Sequence, residues 1–114
     1  MTKHKVVLVP FPFDDLSSTK VRPAVCLTDS IGVHKHTILA FITSRVPDQP
    51  LPSDLVISNT DENFPTTGLR VSSTLQLHRM ITVTTGIILR ELGELPEEMK
   101  VQVNKRLKAL FGIK

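Results

Sequence analysis

The chain contains very little of what stabilises small secreted proteins or serves nucleic-acid binders that work by stacking. Among 114 residues there are one cysteine, no tryptophan, no tyrosine and five phenylalanines. One cysteine cannot form an internal disulfide, whereas small secreted domains usually need several. Few aromatic rings leave little material for a platform on which successive bases stack. We expect Cys26, within the run PAVCL, to pack as a small apolar side chain.

Long apolar segments are absent as well. No run approaches the roughly 20 residues that span a bilayer. The apolar stretch VVLVPFPF near the N-terminus is short, contains two prolines and lacks the small-residue cleavage site of a secretory signal. These absences predict a cytoplasmic protein with no membrane association, and the length predicts a single domain over residues 1–114.

Local motifs for metal or phosphate chemistry are also missing. There is no glycine-rich phosphate loop, no Cys/His metal spacing and no nucleophile elbow. His34 and His36 flank Lys35 without a third metal ligand nearby, and the adjacent carboxylates Asp14 and Asp15 are typical of a solvated loop. We therefore predict no metal site. The net charge of +3 and the pI near 9.3 are compatible with an anionic partner without identifying one.

What the sequence does contain is a series of short β-branched segments separated by proline-rich turns. Such segments predict strands, and we expect them at residues 5–13, 21–29, 37–43, 54–58 and 69–83. After Gly86 the periodicity changes, and the segment IILRELG is predicted as a turn or a short helix that ends at Gly93.

The C-terminal segment LPEEMKVQVNKRLKALFGIK has the pattern of an amphipathic helix. Pro96 suits its first turn, and Glu97 and Glu98 complement the positive end of the helix dipole. Its apolar stripe consists of Met99, Val103, Leu107, Leu110 and Phe111. Many short strands followed by one helix predict an α+β, mostly β fold, in which a small antiparallel barrel or sheet is capped by the helix.

Three groups of polar residues stand at the ends of the predicted strands or within them. They are Arg22 of the Arg22-Pro23 pair, the run Thr43-Ser44-Arg45, and the pair His78-Arg79. Strand ends beside loops are where a rigid scaffold presents reactive groups. Each group also has an ordinary structural explanation, since Arg22 can pair with an acidic loop residue, Thr43 suits a strand edge and His78 suits a solvent-facing position. Taken singly, these residues leave the function open.

In its order of segments the chain resembles the MazF/PemK-like toxins of bacterial type II toxin–antitoxin pairs. The resemblance rests on three stretches: VVLVPFPFDDLSSTKVRPAVCLT, then ILAFITS, then GLRVSSTLQLHRMITVTTGIILRELGELPEEMKVQVNKRLKALFGI. It spans essentially the whole chain, and the order and spacing of the stretches make it specific.

The resemblance implies an SH3-like barrel of the CcdB/MazF type that forms a homodimer. It also implies an endoribonuclease, or mRNA interferase, that cuts single-stranded RNA without a metal or other cofactor and is silenced by a cognate antitoxin protein. In the family, the arginine of the Arg-Pro pair and the threonine that ends the third strand are catalytic, and here these are Arg22 and Thr43. The residues around them would contact the RNA: Ser17, Lys20, Ser44, Arg45 and Arg79.

The position of the general base departs from the family pattern. Some relatives have a glutamate five residues before the arginine, where this chain has Ser17, and PemK-like relatives have a carboxylate in the segment matching LHRMIT, where this chain has His78. A histidine titrates near neutrality and can transfer protons. We expect His78 to have taken over proton transfer and to converge with Arg22 and Thr43 on one concave surface near the dimer interface. The alternative is a catalytically weak member of the family.

Two further functions stay open at this point. Gyrase-poisoning toxins of the CcdB group share the architecture and act by binding a protein, and the departure at Ser17 is compatible with such a toxin. An inactive homologue would only bind RNA or a partner protein. If the chain is a ribonuclease, we expect base recognition in the loops at residues 14–20, 44–53 and 59–67.

Overall fold

A computed structural model describes residues 2–10 and 20–114 and shows a six-stranded antiparallel sheet followed by one long helix. The strands are β1 (Lys5–Pro10), β2 (Val21–Cys26), β3 (His36–Thr43), β4 (Asp54–Ile57), β5 (Ser73–Thr84) and β6 (Arg90–Glu94), and the helix is α1 (Glu97–Phe111). Single 3₁₀ turns lie at Phe64–Thr67 and Thr85–Ile87. The predicted α+β, mostly β fold class is confirmed.

Strands β1 to β5 overlap the five predicted strands, whereas β6 was not predicted. Residues 11–13 of the first predicted strand lie outside the described residues. The prediction of a turn or short helix that ends at Gly93 is wrong, because Arg90–Glu94 is a strand that pairs with β1. This pairing joins the two ends of the chain, and no local pattern in a short apolar segment indicates such a distant partner.

The strands follow the order β4-β5-β3-β2-β1-β6, and each pairs antiparallel with its neighbours. β5 is irregular at its centre, since the adjacent residues Ala40 and Phe41 of β3 pair with Met80 and Gln76. Residues 77–79 therefore leave the ladder. Irregularities of this kind bend a strand and re-aim its side chains, and they are common next to functional sites.

Two apolar clusters occupy the two faces of the curled sheet. Successive residues of a strand point to opposite faces, so β2 contributes Val25 to one cluster and Ala24 and Cys26 to the other. The larger cluster includes Met99 and Val103 of α1. The smaller one consists of Val7, Val9, Ala24, Cys26, Leu39, Phe41 and Val83. Arg22 lies two positions before Ala24, so the same alternation places it on the face of β2 that carries the smaller cluster.

The predicted apolar stripe of α1 packs on the sheet through its first half. Met99 and Val103 are buried, and Leu107 packs partly buried against the larger cluster. Leu110 and Phe111, at the end of the helix, are exposed. In the part of the chain that the structure describes, no helix is long and apolar enough to cross a membrane.

β6 and the 3₁₀ turn before β5 approach so closely that side chains are excluded at two positions. A β-carbon on Gly93 would collide with the carbonyl oxygens of Thr66 and Thr67, and one on Gly68 would collide with the backbone of Leu92. Gly68 also has a φ of 73°, in the left-handed region that glycine adopts without strain. The two glycines therefore allow the turn to dock directly on β6.

Candidate active site

Side chains from β2, β3, the turn after β3 and β5 surround a cleft of about 400 Å³. Three of them are the arginines Arg22, Arg45 and Arg79, and the described residues that line the cleft include no aspartate or glutamate. The lining consists of Arg22, Phe41, Ile42, Thr43, Ser44, Arg45, Gln76 and Arg79. Guanidinium groups favour anions, and their planar fork matches the oxygens of a phosphate.

The strand register explains why Arg22 and Thr43 meet in this cleft. The ladder between β2 and β3 ends with the pair Ala24↔Phe41, and Arg22 and Thr43 each lie two residues beyond it on the same face. Pro23, directly before Ala24, has no N–H with which to extend a ladder. The Arg-Pro pair thus stands where β2 stops pairing with β3 but still pairs with β1, through Arg22↔Val9.

The turn after β3 is held by hydrogen bonds to the backbone of Arg45. The N–H of Arg45 donates to Thr43 Oγ1 at 3.2 Å, and the hydroxyl of Thr74 donates to the Arg45 carbonyl at 2.8 Å. Thr74 is buried in β5, so it ties the turn to the sheet. The contact at Thr43 uses a lone pair of the hydroxyl and not its proton. That proton can therefore be donated into the cleft.

The irregular centre of β5 separates the side chains of its three residues. Leu77 is fully buried, and its N–H donates to the carbonyl of Ser53 at 3.0 Å. His78 is exposed, and its Nδ1 lies 2.9 Å from Ser53 Oγ. Arg79 lines the cleft, where its Nη1 donates a long hydrogen bond of 3.5 Å to Gln76 Oε1. The bulge therefore directs Arg79, and not His78, to the cleft.

Of the residues singled out from the sequence, five share this cleft, namely Arg22, Thr43, Ser44, Arg45 and Arg79. The expected convergence of His78 with Arg22 and Thr43 is not what the described residues show, since His78 is absent from the lining and contacts Ser53. Lys20 is exposed just before β2 and does not line the cleft. Ser17 lies outside the described residues. Gln76 was missed, although a lone polar residue between two buried leucines of β5 was a signal for it.

Other titratable groups do not add to the cleft. Cys26 is fully buried in the smaller cluster, as predicted, and burial raises the pKa of its thiol to about 11. The rings of His34 and His36 lie 5.9 Å apart, in the turn before β3 and at its first residue. Over residues 2–10 and 20–114, no group of three or more His, Cys, Asp or Glu residues could hold a metal ion.

A second cleft of about 310 Å³ adjoins the first. Arg22 and Ser44 line both clefts, and the second adds Arg70 and Arg90 to a largely apolar lining that includes Leu92. Arg22 therefore lies between two cavities that each contain further arginines. An extended anion with several charges, such as a nucleic-acid backbone, matches this arrangement better than one small ion.

A mostly β domain that gathers arginines and hydroxyl groups around connected clefts has a surface suited to anionic ligands, phosphate groups among them. Residues 2–111 match the family described as PemK-like, MazF-like toxin of type II toxin-antitoxin system. The chain belongs to this family. A comparison with curated protein sequences gave no match.

Solved structures with the same fold cover nearly the whole chain. The Mycobacterium tuberculosis toxin MazF-mt6 has a TM-score of 0.72 and 16% identity, with 96% of this chain and 98% of that one covered. MazF from Deinococcus radiodurans has a TM-score of 0.71 and 20% identity, with coverages of 98% and 96%. An endoribonuclease in complex with its cognate antitoxin, from a mycobacterial species, has a TM-score of 0.71 and 11% identity, with coverages of 100% and 97%. At identities this low, the structural similarity shows a common fold and nothing more.

Proposed function

We propose that this protein is the endoribonuclease toxin of a type II toxin–antitoxin pair and that it cleaves single-stranded RNA, including mRNA, without a metal ion. The observation that carries the proposal is that Arg22, Arg45 and Arg79 line the same cleft as Thr43. Membership of the MazF-like toxin family supports the same activity. The cation-rich lining supports an RNA substrate, because each nucleotide supplies one phosphate anion.

In the proposed reaction the ribose 2′-oxygen attacks the adjacent phosphorus while the bond from phosphorus to the 5′-oxygen breaks. The 2′-hydroxyl proton passes to solvent, and the leaving 5′-oxygen takes a proton from solvent. The products are a 2′,3′-cyclic phosphate and a 5′-hydroxyl. Negative charge grows on the two non-bridging oxygens during this step, so groups that stabilise those oxygens accelerate it.

Arg22 is assigned the stabilisation of this charge. Its backbone belongs to β2 and is followed by Pro23, whose ring restricts the chain, so little reorganisation accompanies the reaction. A guanidinium group stays protonated in proteins, and Arg22 therefore acts through its charge and hydrogen bonds and not as a proton donor. Thr43 donates its hydroxyl proton to a non-bridging oxygen. Both groups are catalytic in this proposal.

Ser44, Arg45 and Arg79 are assigned to binding and orienting the RNA. They line the same cleft as Arg22 and Thr43, so they can hold phosphates next to the scissile one. His78 has no part in the proposed step, because its ring contacts Ser53 and does not line the cleft. Lys20, exposed at the start of β2, extends the positive surface along which the RNA would run.

The proposed partners follow from the family and from the charge of the clefts. A cognate antitoxin with an acidic segment would neutralise Arg22 and the arginines of both clefts and thereby block RNA. Like its relatives the protein would form a homodimer, which light scattering at several concentrations tests.

Co-expression with the neighbouring gene would test the antitoxin, because the two proteins should purify as a stable complex that lacks ribonuclease activity.

The test of the activity is cleavage of a long unstructured RNA in EDTA, with Arg22→Ala as the comparison. We expect discrete cuts by the wild type that leave 2′,3′-cyclic phosphate or 3′-phosphate ends, and no cuts by Arg22→Ala. Thermal unfolding of both proteins establishes that the variant is folded. If neither protein cuts RNA, the proposed activity is wrong, and a toxin that binds a protein target, as in the CcdB group, becomes the next hypothesis.

A further inference from the structure

The second half of α1 carries positive charge that no acidic residue of the same segment balances. From residue 99 to the C-terminus the sequence contains no aspartate or glutamate, and its cations are Lys100, Lys105, Arg106, Lys108 and Lys114. Lys100 is paired with Glu94 and Glu97, whereas the other four form no ion pair among the described residues. The helix dipole favours cations in the last turn, but it does not explain the apolar side chains beside them.

Three large apolar side chains are exposed at this end of the helix. Leu110 is 39% exposed, Phe111 61% and Ile113 58%. The helix end that carries them is well ordered, since Gly112 has a φ of 67° and the N–H of Ile113 donates to the carbonyl of Lys108 at 2.8 Å. This is the hydrogen bond of a Schellman cap. A group of apolar side chains held exposed by such a cap indicates an interaction surface.

A pocket of about 270 Å³ lies between the end of α1 and the segment before β4. It is lined by Pro52, Ser53, Arg106, Ala109 and Leu110. The Nη1 of Arg106 donates a hydrogen bond of 3.3 Å to the carbonyl of Pro52, which ties the helix to this segment. The pocket has room for an apolar side chain of a partner beside the guanidinium group. We call the pocket together with Lys108, Phe111 and Ile113 the α1-end surface.

The composition of the α1-end surface favours an acidic peptide as its occupant. Bases of RNA stack on aromatic rings, whereas this surface has a single ring, that of Phe111, among aliphatic side chains. A second copy related by a two-fold axis would set the surface against itself and bring like charges together. A peptide with carboxylates and apolar side chains matches both the charge and the apolar residues.

The α1-end surface also adjoins the region of the arginine cleft. A pocket of about 660 Å³ shares Arg45 and Gln76 with that cleft and extends to Leu51. The next two residues of the chain, Pro52 and Ser53, line the pocket at α1. One extended peptide can therefore bind in the arginine cleft and continue to the end of α1.

We propose that the α1-end surface is a docking site for an acidic segment of the antitoxin, separate from the cleft assigned to RNA. An apolar side chain of that segment enters the pocket, and its carboxylates face Arg106 and Lys108. This inference rests on the proposed function, because it takes the acidic partner to be the antitoxin. It adds a surface at which the antitoxin gains affinity without displacing RNA.

The experiment measures the affinities for antitoxin and for RNA separately. The probe is the protein encoded by the neighbouring gene, labelled with a fluorophore and titrated with toxin while its anisotropy is recorded. Lys108→Glu reverses an exposed charge, and Leu110→Ser removes an apolar side chain from the pocket. We expect each variant to raise the dissociation constant of the probe about tenfold. Added salt should reduce the effect of Lys108→Glu, and the KM for RNA cleavage in EDTA should not change.

Two variants in the hairpin between β2 and β3 are the matched controls. Val33 and Lys35 are exposed there, at the opposite end of β3 from the arginine cleft. Lys35→Glu alters the net charge as Lys108→Glu does, and Val33→Ser removes an exposed apolar side chain away from α1. We expect both controls to bind the probe as the wild type does. Thermal unfolding establishes that all four variants are folded.

Three results would overturn the inference. The first is a probe that does not bind the wild type, or binds Lys108→Glu and Leu110→Ser as tightly as the wild type. The second is a raised KM for RNA in these two variants with unchanged affinity for the probe, which would assign the surface to RNA. The third is a lower molecular mass of the two variants in light scattering, which would assign the surface to a second copy of the chain.

The outcome for the ribonuclease itself is read separately. If the wild type cleaves RNA but the two variants bind the probe normally, the α1-end surface is wrongly assigned while the ribonuclease function stands. If the wild type does not cleave RNA but binds the probe, and the two variants weaken that binding, the docking surface stands and the proposed ribonuclease activity is wrong.

Discussion

Arg22 and Thr43 occupy facing positions on β2 and β3. Each lies two residues beyond Ala24↔Phe41, the last pair of the ladder between these strands. Because the ladder stops at that pair, a guanidinium and a hydroxyl border an open cleft and not a continuous sheet. Both side chains are attached to backbone that is held by neighbouring strands, Arg22 by β1 and Thr43 by β5. This rigidity is what electrostatic stabilisation of a transition state requires.

The hydroxyl of Thr43 should matter for the chemical step and much less for substrate binding. Thr43→Val has nearly the same shape but no proton to donate, and we expect kcat on a single-stranded RNA to fall by roughly 10²-fold or more, with a small change in KM. Thr43→Ser keeps the hydroxyl and should stay within about threefold of wild type. Steady-state kinetics of the three proteins checks this, and equal losses in Val and Ser would show that shape and not hydroxyl chemistry matters.

His78 should be dispensable for cleavage. A general base typically contributes roughly 10²–10⁴-fold to the rate, whereas the ring of His78 contacts Ser53 outside the arginine cleft. We expect His78→Gln to cleave RNA within about twofold of the wild-type rate, because a side chain that does not reach the reacting atoms gives no rate acceleration. A fall of about 10²-fold in the cleavage rate, with unchanged thermal stability, would show that His78 takes part in catalysis.

Gly93 should be essential for stability through close packing. A β-carbon there collides with the carbonyl oxygens of Thr66 and Thr67, so Gly93→Ala forces β6 and the 3₁₀ turn apart. Overpacking of this kind costs about 1–3 kcal/mol in the free energy of unfolding. Gly86→Ala is the control, because nothing lies within 4 Å of its added β-carbon. Urea denaturation should show a loss for Gly93→Ala and little change for Gly86→Ala, and similar values for both would refute the close approach.

Stability should decrease as the solution becomes mildly acidic because of His4. Burial, followed by the charges of Lys3 and Lys100, lowers the pKa of His4 below its ordinary value of 6.5. Its Nε2 is buried without a hydrogen-bond partner among the described residues. The unfolded chain therefore binds a proton more readily than the folded one. The contribution is complete above about pH 6.5 and is lost as the pH falls through the folded-state pKa.

Urea denaturation between about pH 7.5 and pH 5 measures this effect. Asp29 and Glu94 have lowered pKa values, the first through backbone hydrogen bonds and the second through bonds to Lys100 and Lys5, but carboxyl groups titrate below this range. His4→Asn should flatten the pH dependence, and asparagine tolerates the φ of 71° found at this position. An unchanged slope in that variant would assign the pH dependence to another group.

Much of the fold was predictable because the signals are local. β-branched runs between prolines located the first five strands, and the spacing of apolar residues located α1. β6 was missed because its defining interaction is the pairing with β1 at the other end of the chain. The apolar stripe predicted burial less well at its end, since Leu110 and Phe111 are exposed. Periodicity shows which residues share a face and not what covers that face.

The site was predictable in part for the same reason. Arg22, Thr43, Ser44, Arg45 and Arg79 were selected because they stand at strand ends or match the family pattern, and one cleft collects all five. Gln76 was not selected, and its place in the cleft follows from the pairing of β5 with β3 and β4.

The sequence by itself determined the positions of most strands, the amphipathic helix and the membership of a toxin family, because alternation, helical spacing and segment order are properties of the chain. Tertiary structure decided which side chains meet. In a regular strand His78 would share a face with Gln76 and point to the cleft, but the irregular pairing of β5 with β3 removes residues 77–79 from the ladder and brings Arg79 there instead. Such a shift in register depends on the partner strand, so the sequence of β5 alone does not contain it.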